Sequence, residues 1–154
     1  MHLPVSNNMI QTPLIYSGFG PGSDVWIYYN DTGSGNPGAA GGAWHGPLQP
    51  GYGGDEGRSE GVGSMEMGPE LGLGWALGDG LKGEQVLLIK TAWGGKSLHT
   101  DFRPPSSGGT VGPFFSRMVG EVKDVLSNLK TLFPSAPPTF ELAGFMWHQG
   151  SYQG

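Results

Sequence analysis

The chain has 154 residues, with 30 glycines, 13 prolines, no cysteine and a net charge of −5. This length suffices for one domain built around a single hydrophobic core. The mild negative charge and the lack of lysine- or arginine-rich runs argue against nucleic acid as a partner, and the absence of cysteine excludes disulfides, zinc–thiolate sites and cysteine nucleophiles.

Membrane insertion is also disfavoured by the sequence. The longest apolar stretch, around residues 86–89, is far too short to span a bilayer. Met1-His2-Leu3-Pro4 shows neither the positive nor the apolar region of a signal peptide. We therefore expect no membrane partner, while the cellular compartment stays open because a lack of cysteine fits any compartment.

The first half of the chain predicts one strand followed by a long loop. Residues 25–29 (VWIYY) are β-branched and aromatic, as is typical of strands. Residues 31–64 are dense in glycine, include several prolines and show no apolar periodicity. Such a stretch buries too little surface to offset its ordering entropy, so we expect a glycine-rich surface loop there.

The second half predicts a helix, a strand, a long helix and a second strand. Gly68-Pro69-Glu70 suits a helix start, although Gly72, Gly74 and Gly78 weaken the helix that follows. Residues 85–91 (QVLLIKT) predict a strand buried on both faces. Residues 115–133 repeat apolar side chains every three or four positions and predict an amphipathic helix, with polar residues such as Arg117 and Glu121 on its other faces. Residues 140–147 predict the second strand.

Strand, helix and strand in succession form a βαβ unit, whose right-handed crossover makes the two strands parallel. Their carboxyl ends would share one edge of the sheet, where open α/β sheets bind ligands. The segments leaving that edge are Trp93-Gly94-Gly95-Lys96-Ser97 and His148-Gln149-Gly150. We expect these two loops to be neighbours.

Several residues of these loops are candidates for chemistry. The Gly94-Gly95 pair either exposes a backbone N–H that stabilises an oxyanion or merely permits a turn. His148 suits a general base, an oxyanion donor or a structural role. Gln149 can donate to an oxyanion or to a sugar hydroxyl. Trp93 and Trp147 stand beside the loops, where aromatic faces suit sugar rings.

Other types of site find no support. Lys96-Ser97 resembles the end of a phosphate-binding P-loop, but Lys90 occupies the position of its first glycine. The motif Gly-x-Ser-x-Gly is absent. The carboxylates of Asp55, Glu56 and Glu60 do not have the spacing of a calcium loop. We expect neither a metal nor a cofactor.

Taken together, the motifs resemble a known family. Gly68-Pro69-Glu70-Leu71-Gly72, Lys90-Thr91-Ala92-Trp93-Gly94-Gly95-Lys96-Ser97-Leu98, Asp101-Phe102-Arg103-Pro104-Pro105-Ser106 and Phe145-Met146-Trp147-His148-Gln149-Gly150 occur in an order similar to that of sialate O-acetylesterase-like carbohydrate esterases. These enzymes belong to the SGNH hydrolase superfamily and are similar to carbohydrate esterase family 6. The resemblance covers most of residues 66–150.

The resemblance implies a flavodoxin-like three-layer α/β/α domain with a parallel sheet, incomplete at both ends, in which residues 1–154 form one partial domain. It also implies a carboxylic ester hydrolase whose substrate is a small-molecule or polysaccharide acetyl ester. Gly94 and Gly95 would supply the oxyanion-hole side. His148 and Gln149 would line the site, and Trp93, Lys96, Ser97, Trp147 and Gly150 would contact the substrate. An extracellular or periplasmic location would fit such an enzyme.

Three departures from the family pattern limit this interpretation. The serine motif Gly-Gln-Ser-Asn is missing, and the chain stops at Gly154 before any Asp-x-x-His could supply the base. Ser151 follows Gly150, where the family commonly has an acidic residue or Asn-Asp. We therefore expect a fragment that is inactive by itself. The alternative is a non-catalytic carbohydrate-binding or scaffold module.

Overall fold

A three-stranded sheet lies at the centre of the computed structural model, which describes residues 24–30, 43–52 and 67–149. Strand β1 (Val25–Asn30) lies between β2 (Ala43–Pro47) and β3 (Val86–Lys90). β1 pairs parallel with β3 and antiparallel with β2. The predicted strands at residues 25–29 and 85–91 are thus confirmed, but the sheet is mixed rather than parallel throughout.

Strand β2 lies inside the segment predicted to be a surface loop, so that prediction is wrong for residues 43–52. After β2, Leu48 and Tyr52 are each only 1% exposed and pack in one cluster with Val25 and Ile27. The high glycine content suggested that the entropy cost of ordering this segment would keep it irregular. Backbone pairing with β1 and burial of these two large side chains offset that cost. The remaining parts of the predicted loop, residues 31–42 and 53–64, lie outside the described residues.

Helix α1 (Pro69–Gly80) packs on one face of the sheet and begins where the sequence predicted. Its Leu71 and Trp75 belong to the same cluster as β1. A Cβ atom at Gly74 would lie 2.1 Å from Leu48 Cδ2. The glycine that lowers the helix propensity therefore also allows the helix to approach the sheet closely.

Helices α2 (Pro113–Ser127) and α3 (Leu129–Leu132) contribute the core on the opposite face of the sheet. The indole of Trp26 stacks on Phe133, with ring centroids 4.9 Å apart. The predicted long helix is confirmed, with an interruption at Asn128, whose side chain donates to the carbonyl of Asp124 at 2.8 Å. Such a side-chain bond competes with the regular helical hydrogen bonds and separates α2 from α3.

Arg117 and Glu121 were predicted to lie on faces of this helix other than its apolar face, and both side chains are nevertheless largely buried. Their side chains are only 27% and 11% exposed. Arg117 Nε donates to Glu121 Oε1 at 3.0 Å, an ion pair at the i,i+4 spacing. The pair neutralises both charges, which makes partial burial tolerable.

The predicted strand at residues 140–147 is also wrong, because the structure assigns no strand there. The apolar side chains of this segment are exposed, namely Phe140, Leu142, Phe145, Met146 and Trp147. Within the described sheet β3 is an edge strand, and its residues are half-buried rather than buried on both faces. A strand needs a paired backbone and cover on its apolar faces, and the described residues supply neither to this segment.

The described part of the chain is therefore a mixed α/β arrangement, with a small sheet carrying one parallel pair and helices. Among these residues no helix is both long and apolar enough to cross a bilayer.

Candidate functional site at the carboxyl end of β3

A buried ion pair fixes the end of β3. Lys90 Nζ lies 3.2 Å from Glu70 Oε1 in the first turn of α1, and it also donates to the carbonyl of Tyr52. The same carboxylate oxygen accepts the Gly68 N–H at 3.1 Å. One lysine therefore holds together β3, α1 and the segment that follows β2.

The chain then enters the glycine turn that the sequence singled out. Tyr29 of the neighbouring strand donates its hydroxyl to the carbonyl of Ala92 at 3.4 Å, just before the turn. Gly95 has a φ of +67°, and an added Cβ atom there would find nothing within 4 Å. Gly94 and Gly95 are both exposed. The turn therefore requires glycine for its backbone conformation and leaves that backbone open to a ligand.

The segment after the turn is fastened to the start of α2. The Ser97 N–H donates to Asp101 Oδ2 at 2.8 Å, and the Asp101 carbonyl accepts the N–H groups of Phe114 and Phe115. A Cβ atom at Gly112 would lie 2.2 Å from that carbonyl oxygen. These contacts make the loop a fixed support for the turn.

The hydroxyl of Ser97 has a structural role in this loop. Ser97 Oγ accepts the Thr100 N–H at 3.2 Å and lies 2.8 Å from Thr100 Oγ1. Neither contact involves a histidine, so the arrangement lacks the hydroxyl–base hydrogen bond that activates a serine nucleophile.

Trp93 lies beneath the turn and not on its surface. It is 7% exposed and packs against Phe102 and Phe114, with ring centroids 6.0 Å and 5.2 Å away. The Arg117 guanidinium lies 4.5 Å from the centroid of the Trp93 ring. Because the ring is covered in this way, the expected contact between Trp93 and a sugar does not fit, and Trp93 instead supports the turn.

The expected proximity of the two loops is present in the structure. Gln149 Nε2 donates to the carbonyl of Lys96 at 3.1 Å, across 53 positions of sequence. The rings of Trp147 and Phe102 meet at nearly a right angle, with centroids 5.1 Å apart. We expected a second parallel strand to bring the two loops together, but the side-chain contacts of Gln149 and Trp147 join them instead. His148 is exposed, and Gly150 lies outside the described residues.

The sequence did not predict the side chains that pack around Trp93 under the turn. These are the rings of Phe102 and Phe114 and the guanidinium of Arg117. The available signal was Gly112-Pro113, a glycine and proline at a helix start, which places Phe114 in the first turn of α2. The sequence did not indicate that Arg117 would pack under the turn, because Arg117 falls outside the apolar repeat of the helix.

Two groups at the contact of α2 with β1 have perturbed acidity. Burial raises the pKa of the Glu121 carboxyl above its ordinary value of 4.5; the hydrogen bond and charge of Arg117 oppose the rise, and Asp124 adds to it. Burial and then the charge of Glu121 raise the pKa of the Tyr28 hydroxyl above 10.0. Glu121 Oε2 is buried and has no hydrogen-bond partner among the described residues.

Among the residues that the structure describes, no three or more histidine, aspartate or glutamate side chains form a group that could hold a metal ion. The fold and the site define a mixed α/β protein with an open glycine turn at the carboxyl end of a parallel strand. The chain matches no family model, no curated protein and no solved structure. The resemblance to carbohydrate esterases thus rests on short sequence motifs.

Proposed function

We propose that this chain is part of a serine carbohydrate esterase that hydrolyses O-acetyl esters on sugars. It would supply the oxyanion side of the site, while the nucleophilic serine and the histidine base come from residues beyond the chain. The observation that supports this best is the 3.1 Å bond from Gln149 to the Lys96 carbonyl. That bond holds the segment containing His148 beside the Gly94-Gly95 turn, at the sheet edge where α/β proteins bind ligands.

The proposed chemistry is acyl transfer. A serine hydroxyl gives its proton to the histidine base and attacks the acetyl carbonyl, and fixed N–H donors stabilise the negative charge that develops on the carbonyl oxygen. The ester C–O bond then breaks, and the sugar leaves as an alcohol with the proton from the histidine. Water hydrolyses the acetyl-serine to acetate and restores the serine hydroxyl. Gly95 suits the donor role because its backbone is exposed and an added Cβ atom would find nothing within 4 Å, so no side chain crowds this part of the turn.

The finer fold that we propose is the flavodoxin-like three-layer α/β/α domain. Its support is the parallel pairing of β1 with β3 and the two core clusters, which place α1 against one face of the sheet and α2 with α3 against the other. The outer edge of β3 has no partner among the described strands. A larger parallel sheet would continue from that edge.

A second candidate function is a non-catalytic carbohydrate-binding module. Trp147 favours it, because this residue is 42% exposed and can contact a sugar without any catalytic group. Ser97, whose hydroxyl is engaged with Thr100, supplies no nucleophile under either candidate.

The coding sequence on either side of this chain distinguishes the two candidate functions. For the esterase we expect Gly-Gln-Ser-Asn before Met1 and Asp-x-x-His after Gly154. Protein made from the longer frame should hydrolyse p-nitrophenyl acetate and O-acetylated sugars. The 154-residue chain should show no turnover above its Ser97→Ala, Ser151→Ala variant. Serine-dependent turnover by the short chain, or an inactive longer protein, would refute the proposal.

The glycine turn can be tested in the longer protein with a matched pair of variants. Gly95 and Gly83 both have positive φ, +67° and +86°, and both have open space around them. Alanine should destabilise the fold at either position by about 1 kcal/mol. Only Gly95→Ala should also lower kcat, by about 10²-fold, because it shifts an oxyanion donor. Equal kcat values for the two variants would remove the turn from the catalytic site.

A further inference from the structure

Trp147 is exposed and yet tightly oriented. Its indole Nε1 donates to Gln149 Oε1 at 3.1 Å, and its ring stands at 89° against Phe102. The ring of Phe145 is tilted against the indole, with ring centroids 6.0 Å apart. Nevertheless 42% of the residue's surface is open. A large aromatic side chain that is both held and exposed offers a ready contact surface to a ligand.

Gln149 determines this orientation. Its Oε1 accepts the indole N–H, while its Nε2 donates to the Lys96 carbonyl at 3.1 Å. The opposite orientation of the amide would place two donors against each other and two acceptors against each other, so only one orientation satisfies both neighbours. Gln149 therefore links the indole to the backbone of the glycine turn.

We propose that Gln149 is a positioning residue for Trp147, and that the exposed surface of the indole binds a pyranose ring presented to the glycine turn. This assignment rests on the proposed function for its choice of a sugar. In this role one amide N–H of Gln149 is committed to the Lys96 carbonyl, and the other is assigned to a sugar hydroxyl instead of an oxyanion.

The chemistry around the indole suits a pyranose. One face of a pyranose ring is lined by C–H groups, which pack on an aromatic ring, while its hydroxyls point outward and need polar partners. The two bonds of Gln149 leave its second amide N–H for such a hydroxyl. The ammonium of Lys96, the residue whose carbonyl Gln149 contacts, lies 4.6 Å from the Phe114 ring centroid.

The test uses the 154-residue chain and sugars without ester groups, so that it is independent of hydrolysis. The probes are the methyl glycosides of glucose, galactose and xylose, together with cellobiose. The readout is the indole N–H resonance of Trp147 in a ¹H–¹⁵N spectrum, identified among the 5 tryptophans by its loss in Trp147→Phe. We expect saturable shifts of this resonance with at least one probe. Isothermal titration calorimetry should show that Trp147→Ala no longer binds that probe.

Variants of Gln149 test whether this residue orients Trp147 for sugar binding or only stabilises the fold. Gln149→Leu should weaken sugar binding by about fivefold or more, because the indole loses both its acceptor and its link to the turn. Gln149→Glu keeps the acceptor for the indole but loses the donor to the Lys96 carbonyl, so its affinity should be intermediate. Gln85→Leu is the control, since Gln85 is exposed and its amide contacts only the adjacent Val86 carbonyl.

Two results would overturn the proposal. One is binding by Gln149→Leu equal to that of Gln85→Leu, with the Trp147 resonance unmoved by the substitution. The other is the absence of any shift with all four probes in a folded protein. Either result leaves the esterase assay of the longer protein unaffected, because that assay does not depend on sugar contact with Trp147.

Discussion

Glycine 74 illustrates how a residue that weakens a helix can strengthen a fold. It is buried in α1, and its missing side chain leaves space for Leu48, Leu88 and Val25. Gly72, two positions earlier on the same helix, is exposed and has nothing within 4 Å of an added Cβ atom. The two glycines have the same intrinsic cost to the helix and opposite packing environments.

We therefore expect opposite effects from the same substitution. Gly72→Ala should raise the free energy of unfolding by about 0.5–1 kcal/mol through helix propensity. Gly74→Ala gains the same propensity but must displace buried Leu48, at a cost of about 1–3 kcal/mol, and should be the less stable variant. Urea unfolding with a common slope measures the difference. A Gly74→Ala variant as stable as Gly72→Ala would show that Leu48 repacks freely.

Glu121 gives the stability a defined pH dependence. Its raised pKa means that the folded protein binds the carboxyl proton more tightly than the unfolded chain does. The stabilisation is complete below the ordinary value of 4.5 and is lost as the pH rises through the raised pKa. Glu121→Gln cannot ionise and should not lose this contribution.

The free energy of unfolding of the native protein, measured relative to Glu121→Gln, should therefore fall as the pH rises from acidic to neutral. Asp124→Asn should move this fall to lower pH, because the Asp124 charge contributes to the raised pKa of Glu121. Urea titrations across the range provide the measurement. A difference that is constant with pH, or that favours the native protein more as the pH rises, would contradict the assignment.

At the scale of the elements, the Lys90–Glu70 pair connects a strand, a helix and the segment after β2. The two side chains are 14% and 9% exposed, so either charge would be poorly solvated without the other. The order of the carboxyl end of β3 therefore depends on both residues together.

A double-mutant cycle should show this dependence. We expect Lys90→Met to cost about 3 kcal/mol, because it leaves the Glu70 carboxylate buried and unpaired. Adding Glu70→Gln removes that charge but keeps an acceptor for the Gly68 N–H, so the double variant should be more stable than additivity predicts by at least about 1 kcal/mol. The free energies from urea unfolding give the coupling directly. Additive costs would show that the charges are independently solvated.

The elements also show which patterns in the sequence were informative. Strong local signals, such as the apolar run before Lys90, the proline at Pro69 and the spacing up to Phe133, predicted β3, α1 and the α2–α3 helices. β2 was not predicted, because its composition is not typical of a strand. It forms by antiparallel pairing with the edge of β1. The strand predicted at residues 140–147 fails for the converse reason, since its apolar composition has no paired edge among the described elements.

The candidate site was predictable only in part. The glycine turn and the His148-Gln149 segment were predicted as neighbours, and the Gln149–Lys96 bond joins them. The sequence did not indicate that Trp93 is buried while Trp147 is open, because that difference depends on where Phe102 and Arg117 pack. The burial of a side chain in a loop depends on tertiary packing, so the spacing of residues in the sequence does not predict it.

At the scale of the whole molecule, the central strand is also the earliest described strand in the chain. β1 is flanked by β2 and β3, both of which follow it, and its two faces are covered by α1 and by α2 with α3. On the ribosome, Val25–Asn30 would therefore emerge long before Val86–Lys90 and the helices that shield it. One apolar face of the nascent β1 therefore stays uncovered until α2 and α3 have been synthesised, and a delay in folding at that stage favours aggregation.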